Sequence, residues 1–372
     1  MENIDEKYMH LALRLGRKGL GRTSPNPPVG AVIVRDGRIL GKGWHHKAGM
    51  AHAEIEAIEN AKKNGITNFV GATMYVTLEP CCHYGKTPPC ADRIIEEGFS
   101  RVVIGTMDPN PQVSGGGIKK LRQAGIAVTV GVLEKKAIRL IEHFRIYTRL
   151  GRAFLAVKFA ESIDGKIAAS DGSSKWISSE SARKFAHRLR NTHDAVMIGA
   201  RTLAMDDPEL TVRHIKGRNP VRIVLAGRNT VYAHHRIFED NLARTILVSS
   251  LKNPFHSGVP SGNVEIWKLE PNTKGQIPIH SVLERLSKEN IISVLLEGGS
   301  KLIGNAIAEG VADRIYAIIS PKIIGHSGIS SVGAEIAPDI TSALDLADVE
   351  YRKLGTDFLI TGRISYSKVS KM

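Results

Sequence analysis

All three cysteines of this 372-residue chain fall in one stretch, Leu78–Cys90, which reads LEPCCHYGKTPPC. With no thiol elsewhere to pair with, no disulfide framework can hold the molecule, and its core has to come from packing. The length supplies enough chain for two domains with cores of their own. A composition of 42% hydrophobic and 24% charged residues is that of an ordinary globular protein. The opening MENIDEKYMHLALRLGRKG is charged and helical in period, unlike a secretory signal, and no apolar run reaches membrane-spanning length. A cytoplasmic location is therefore expected. In that reducing compartment clustered cysteines point to metal ligation or thiol reactivity.

The first 150 residues alternate between strand and helix patterns. Asp5–Lys18 has the period of an amphipathic helix, and Val29–Trp44 reads as a hairpin turning at Asp36-Gly37. A helix over Ala51–Asn64 follows, with Gly65 just past its end, and then a buried strand over Ala72–Glu79 from which the cysteine loop departs. Helices at Ala91–Glu97 and Ile118–Ala124 alternate with strands at Arg101–Thr106 and Ala127–Leu133, and the helix Glu134–Arg149 closes the unit. A hairpin followed by repeated crossovers implies a three-layer α/β sandwich.

A second series begins at Phe154–Ala168. Strands are expected at Ala195–Gly199, Val221–Gly227, Thr245–Ser249, Val264–Leu269, Ile292–Leu296, Arg314–Ile319 and Phe358–Ile364. Helices are expected at Ser179–Thr192, His280–Glu289 and Lys301–Glu309, so the remainder is a second α/β domain on a larger sheet. The domains are set at 1–147 and 148–372.

His52-Ala53-Glu54 opens the helix before the cysteine strand, and the loop carries Pro80-Cys81 and then Cys90, with eight residues between the two thiols. Zinc-dependent nucleobase deaminases combine H-x-E with P-C-x-x-C: one imidazole and two thiolates bind the metal, and the glutamate moves protons without binding it. Such a set leaves one tetrahedral corner open for water. On this basis His52, Cys81 and Cys90 are the metal ligands for Zn2+ and Glu54 is the acid-base residue, with Cys82 left as a free thiol or packing residue. The competing arrangement is a closed structural zinc site that takes His83 or Cys82 as a fourth ligand.

Over nearly its whole length, in order, the chain resembles the bifunctional riboflavin-biosynthesis deaminase/reductase family. The resemblance is carried by PNPPVGAVIV (25–34), HAE (52–54), TLEPCCHYGKTPPC (77–90), DPNPQVSGGG (108–117), ESIDGKIA (161–168), KWIS (175–178), DDPELTVR (206–213) and LLEGGSKL (295–302). Cys82 departs from the family's expected serine. The resemblance implies a cytidine-deaminase-like domain followed by a dihydrofolate-reductase-like domain. The first would deaminate a diaminopyrimidinone ribose phosphate and the second would use NADPH to reduce the ribosyl side chain. It places Asn26 on the pyrimidine edge and His45 and Lys86 near the ribose phosphate. In the second domain it assigns NADPH contacts to Ala160, Trp176, Thr202, Asp206 and the turn Gly299, Ser300, Lys301, Leu302, Ile303, Gly304 and Asn305. Substrate contacts fall to Ser174, Arg190, Leu210, Arg213 and Glu297, with Lys158 assisting proton transfer.

The residues themselves agree with a nicotinamide site of this kind. No G-x-G-x-x-G follows the second domain's first strand, while the glycine pair after Glu297 lets backbone come close to a phosphate at a helix start. Arg190 and Arg213 have the fork geometry for a phosphate, and Trp176 offers a flat wall. The net charge of +14 divides as +8 over the first 150 residues and +6 over the rest, with no basic tail, and aromatics are only 5%. That distribution favours small phosphorylated ligands over nucleic acid. A homo-oligomer is expected from the family.

Overall fold

The computed structural model describes residues 3–84, 88–111 and 113–366. Two compact units divide after Gly151. That glycine ends a helix in the left-handed region at φ +67°, so the boundary expected after residue 147 lies inside the helix.

In chain order the first unit contains α1 (Ile4–Gly16), β1 (Gly30–Arg35), β2 (Arg38–Trp44), α2 (Ala53–Lys63), β3 (Thr73–Leu78) and α3 (Cys90–Glu96). It continues with β4 (Arg101–Thr106), α4 (Gly116–Gln123), β5 (Ala127–Val130), α5 (Glu134–Leu140) and α6 (Glu142–Leu150). The sheet order is β2-β1-β3-β4-β5, antiparallel around β1 and parallel from β3 onward. The single helix expected over 134–149 is broken at Ile141, which turns its side chain into the core.

Helices approach this sheet very closely because glycines line it. A Cβ on Gly30 would sit 2.1 Å from the Ala12 carbonyl oxygen of α1. On the opposite face, Cβ atoms on Gly41 and Gly43 would sit 2.2 and 2.3 Å from the carbonyl oxygens of Ala57 and Ala53 in α2. The consequence reaches function, since the first turn of α2 carries the H-x-E glutamate. At the far side, Asp5 of α1 accepts from the Tyr75 hydroxyl at 2.9 Å and from both terminal nitrogens of Arg101 at 2.9 and 2.7 Å, tying the helix to β3 and β4.

The second unit runs β6 (Phe154–Ser162), β7 (Lys166–Ala168), α7 (Glu180–Thr192), β8 (Ala195–Gly199), α8 (Ala200–Asp206), β9 (Val221–Gly227), α9 (Arg236–Glu239), β10 (Thr245–Ser249) and β11 (Val264–Lys268). It ends with α10 (Ile279–Lys288), β12 (Ser293–Leu296), α11 (Ser300–Ala308), β13 (Arg314–Ser320), β14 (Ile329–Ser330), β15 (Asp345–Leu354) and β16 (Asp357–Ser365). Nine strands form one sheet in the order β11-β10-β9-β8-β12-β6-β13-β16-β15. The first seven are mutually parallel, and their inner members are buried on both faces, which explains their unbroken apolar runs. The last two pair antiparallel. Strand β15 is absent from the sequence expectation: it is an edge strand, mostly exposed, and its DLADVEYRKL has no apolar alternation.

Because Gly43 has backbone where a methyl would go, Gly43→Ala is expected to destabilise the first unit by about 1–3 kcal/mol through overpacking. Urea denaturation followed by circular dichroism checks this as a lowered midpoint; an unchanged midpoint contradicts the close approach.

Candidate active sites

In the first unit, the strand β3 ends at Leu78 and hands the chain to Glu79, which is buried. The Glu79 carboxylate accepts four backbone N–H groups, from Asp108 (3.2 Å), Gly115 (3.0 Å), Gly117 (3.0 Å) and Ile118 (3.2 Å). This draws the start of α4 against the cysteine loop. A side chain at Gly117 would strike the Pro80 carbonyl oxygen at 2.0 Å, so the loop and the helix touch backbone to backbone.

The loop then presents Cys81, and α3 begins at Cys90. The Cys90 N–H donates to the Cys81 sulfur at 3.3 Å, and the Ala91 N–H donates to the Cys81 carbonyl at 3.1 Å. His52 stands at the N-cap of α2 with its side chain free of capping, and its Nδ1 lies 3.6 Å from the Cys81 Sγ and 3.3 Å from the Cys90 Sγ. Ligand atoms of all three residues lie within 4.8 Å of one another. Donors about 2.0–2.3 Å from one zinc ion in a tetrahedron are separated by about 3.5 Å, so this triad fits the ion. The two thiols share a proton: the hydrogen bond from Cys90 pulls the Cys81 thiol well below its ordinary range and pushes Cys90 up. Cys82 stands apart, its sulfur against Gly116 at the start of α4.

Glu54, two residues past His52, is 4% exposed, and burial pushes its carboxyl up to about 7. His45 is also buried, with its ring edge-on to His52 at 5.3 Å between centroids. Its Nδ1 lies 2.9 Å from the Ala51 carbonyl, so Nδ1 carries the proton and Nε2 accepts from the Asn26 amide at 3.2 Å. Both ring nitrogens are thus engaged. His45 thereby holds the Asn26 amide in place. Lys86 lies outside the described residues.

In the second unit a cavity of about 460 Å³ opens beside the end of β12, within the range of small-molecule sites. It brings together Lys158, Ala160, Ser174, Trp176, Arg190, Asp206, Arg213, Glu297 and Ile303 of the residues named from sequence. Thr202 instead packs on the Gly298–Gly299 turn. Both glycines have positive φ, +108° and +75°, and the turn leads directly into the N-terminus of α11 at Ser300. Ser300, Lys301, Leu302 and Asn305 sit on α11. Gly304 packs against Ala334, where a Cβ would meet the backbone nitrogen at 2.6 Å. Leu210 is 2% exposed in an apolar core with Val196 and Leu247, so its side chain does not face the cavity.

Arg190 pairs with Glu297 on the cavity wall. Its Nε and Nη2 bind the Glu297 carboxylate at 2.6 and 3.0 Å, and its Nη1 donates to the Thr211 carbonyl at 3.0 Å. A carboxylate buried this deeply requires a countercharge, and the Arg190 guanidinium supplies it. Burial raises the Glu297 carboxyl, but the charges of Arg190 and Lys158 more than offset this and leave it at about 2. Burial pushes Lys158 down, with Nζ 4.0 Å from Glu297.

Arg183 and His187 also line the cavity and were not singled out from sequence. Their spacing with Arg190 on α7, at i, i+4 and i+7, marks one helix face and was the available signal. The Arg183 guanidinium lies 4.6 Å from the centre of the Trp176 ring, which is 64% exposed and so no core aromatic. Burial, followed by the neighbouring Arg190, pushes His187 down to about 4, and its Nδ1 accepts the Arg213 N–H at 3.1 Å.

Comparison with known proteins covers both units. Residues 2–106 match the cytidine and deoxycytidylate deaminase zinc-binding region, and residues 153–360 match the RibD C-terminal domain. The riboflavin biosynthesis protein RibD of Aquifex aeolicus is 41% identical over 97% of this chain and 98% of its own. That of Escherichia coli is 38% identical over 86% and 89%. Among solved structures, a diaminohydroxyphosphoribosylaminopyrimidine deaminase/5-amino-6-(5-phosphoribosylamino)uracil reductase from Thermotoga maritima superposes with a TM-score of 0.86. It is 41% identical and the match covers 97% of this chain and 99% of that one. Acinetobacter baumannii RibD gives 0.82 at 32% identity, with coverage of 97% and 99%. The fold is thus a cytidine-deaminase-like unit followed by a dihydrofolate-reductase-like one.

The Glu297–Arg190 pair predicts a pH signature. Glu297 has a folded pKa of about 2 against an unfolded value near 4.3, so it contributes stability above that unfolded value and loses it as the pH falls toward 2. Glu297→Gln is expected to cost about 3 kcal/mol at pH 7 by stranding buried Arg190, with the cost level down to the unfolded value and shrinking below it. Guanidinium denaturation across pH 2–7 checks this; a cost independent of pH contradicts it.

Proposed function

The chain belongs to the RibD family of bifunctional riboflavin-biosynthesis deaminase/reductases, and on that premise we propose how its own residues divide the work. The enzyme is a zinc-dependent hydrolase joined to an NADPH-dependent oxidoreductase. It deaminates 2,5-diamino-6-(5-phosphoribosylamino)pyrimidin-4(3H)-one to 5-amino-6-(5-phosphoribosylamino)uracil and then reduces the ribosyl side chain to ribityl.

The convergence of His52, Cys81 and Cys90 beside buried Glu54 carries the assignment of the first step. The three residues would hold zinc, which when bound supplies Lewis acidity that brings the pKa of water to about 7. Glu54 takes one proton from the attacking water at its carboxylate and gives it to the ring nitrogen, then takes the second proton from the added hydroxyl and gives it to the departing amine, which leaves as ammonia. A carboxyl raised by burial toward neutrality suits both receipt and release of a proton. Asn26, held by His45, offers its amide to the pyrimidine edge.

In the second unit NADPH supplies hydride, and the side chains position the sugar and the cofactor. Trp176, Asp206, Ala160 and Thr202, with the first turn of α11, would hold the nicotinamide and its phosphates. Glu297 accepts from sugar hydroxyls, and Lys158 provides a proton as C1′ is reduced. Its depressed pKa makes that transfer easier. Ser174 and the Leu210 backbone border the substrate. We further assign the protein to the cytoplasm as a homo-oligomer acting on small molecules and not on nucleic acid or membranes. No helix among the described residues is long and apolar enough to cross a membrane.

Mass spectrometry of the diaminopyrimidinone substrate after incubation tests the assignment. The expected product is the deaminated uracil without NADPH and its ribityl form with NADPH. Glu54→Gln should slow deamination by about 10²–10⁴-fold while keeping its zinc and its reduction of supplied uracil intermediate. Deamination at the wild-type rate by zinc-loaded Glu54→Gln would remove Glu54 from the mechanism.

A further inference from the structure

Trp176 is open to solvent on the second unit's cavity, yet its segment is firmly held. The indole is 64% exposed, while three successive backbone carbonyls are each bound by a side chain. Lys322 donates from Nζ to the Trp176 carbonyl, Ser320 from its hydroxyl to the Ile177 carbonyl at 2.8 Å, and Arg183 from Nη1 to the Ser178 carbonyl at 2.7 Å. Ser320 ends β13, Lys322 lies just beyond it and Arg183 stands on α7, so the segment is pinned between two elements.

Arg183 does more than hold backbone. Its guanidinium lies over the Trp176 ring, 4.6 Å from the ring centre, which is a cation–π contact. No carboxylate among the described residues pairs with it: Glu180, three residues earlier on α7, bonds to Lys184 at 2.7 Å. The positive charge is therefore not cancelled in an ion pair, and it acts on the indole through the ring's quadrupole. Arg183 and Trp176 both line the cavity.

A cation over one face of an aromatic ring draws electron density towards itself and leaves the ring less able to receive a second positive charge. The nicotinamide assigned to this wall changes charge in the reaction. It is neutral while it carries the hydride, and it becomes a cation once the hydride has gone to C1′ with its electron pair. We propose that Arg183 makes the Trp176 wall selective for the oxidation state of the cofactor, favouring the neutral reduced ring and disfavouring the cationic oxidised one, so that spent cofactor leaves. Arg183 is thus a positioning residue for Trp176 and a determinant of which cofactor form stays bound. The inference rests on the reading of Trp176 as the nicotinamide wall.

Equilibrium binding of NADPH and of NADP+ to the full-length protein, each titrated separately by calorimetry, tests it, with the melting temperature of each preparation as a check on folding. Trp176→Leu comes first and is expected to weaken NADPH about five- to tenfold. NADPH bound by Trp176→Leu as tightly as by wild type would defeat the reading of Trp176 as the wall before Arg183 is considered. Wild type is expected to bind NADPH more tightly than NADP+. Arg183→Gln should shrink that preference about two- to fivefold, the range of an exposed cation–π contact. Arg183→Lys keeps the charge and should hold the preference within about twofold of wild type. A preference that Arg183→Gln leaves unchanged, with both affinities falling together, would make Arg183 only a prop for the segment. Equal affinities for the two forms in wild type would leave nothing for Arg183 to determine; either result overturns the proposal.

Discussion

Four backbone N–H groups converge on the carboxylate of Glu79, and the first active site depends on that convergence. A buried carboxylate without partners is costly, so the chain from Asp108 to Ile118 has to close over the end of β3. Closing it brings Gly117 onto Pro80, at a distance no side chain would permit, and fixes the loop from which Cys81 departs. The second unit repeats the device with a different partner. Glu297 follows β12 as Glu79 follows β3, and there a guanidinium on α7 supplies what backbone amides supply in the first unit. In both, a glutamate at the end of a central strand draws a distant segment across the strand ends.

Burial alone does not decide how a glutamate behaves, as Glu54 and Glu297 illustrate. Both are enclosed, and enclosure raises both carboxyls. Glu54 reaches about 7, whereas Arg190 and Lys158 hold Glu297 at about 2. The first is suited to carry protons and the second to remain an anion that accepts hydrogen bonds. That separation of environments is how one residue type serves two chemistries in one chain. Both proposed sites handle the same phosphoribosyl group, which accords with a basic excess shared between the units.

Much of this was legible in the chain itself. H-x-E and the spaced P-C and Cys90 are contiguous motifs, so His52, Cys81, Cys90 and Glu54 could be named without a fold. The buried parallel strands announced themselves as apolar runs. What stayed hidden was whatever depends on partners far apart in sequence. Glu79 bonds to amides 29 to 39 residues away, and nothing near it marks it as an anchor. Arg190 has the chemistry of a phosphate ligand, and only the fold shows that Glu297 claims it. His45 reads as a polar pocket residue, yet burial turns it toward Asn26 and Ala51. Leu210 belongs to a motif at the cavity while its side chain points into the core. Arg183 and His187 share a helical face with Arg190, a spacing that the sequence displays but that only the cavity gives a meaning.

The central claim is an open metal centre with three protein ligands, in which Cys82 and His83 take no part. X-ray absorption at the zinc edge of the purified protein addresses it directly. The account predicts one zinc per chain with two sulfurs at about 2.3 Å, one imidazole and one further light ligand that small anions or substrate analogues displace. A third sulfur, a second imidazole, or a fourth ligand that nothing displaces would mean a closed structural site and would contradict it.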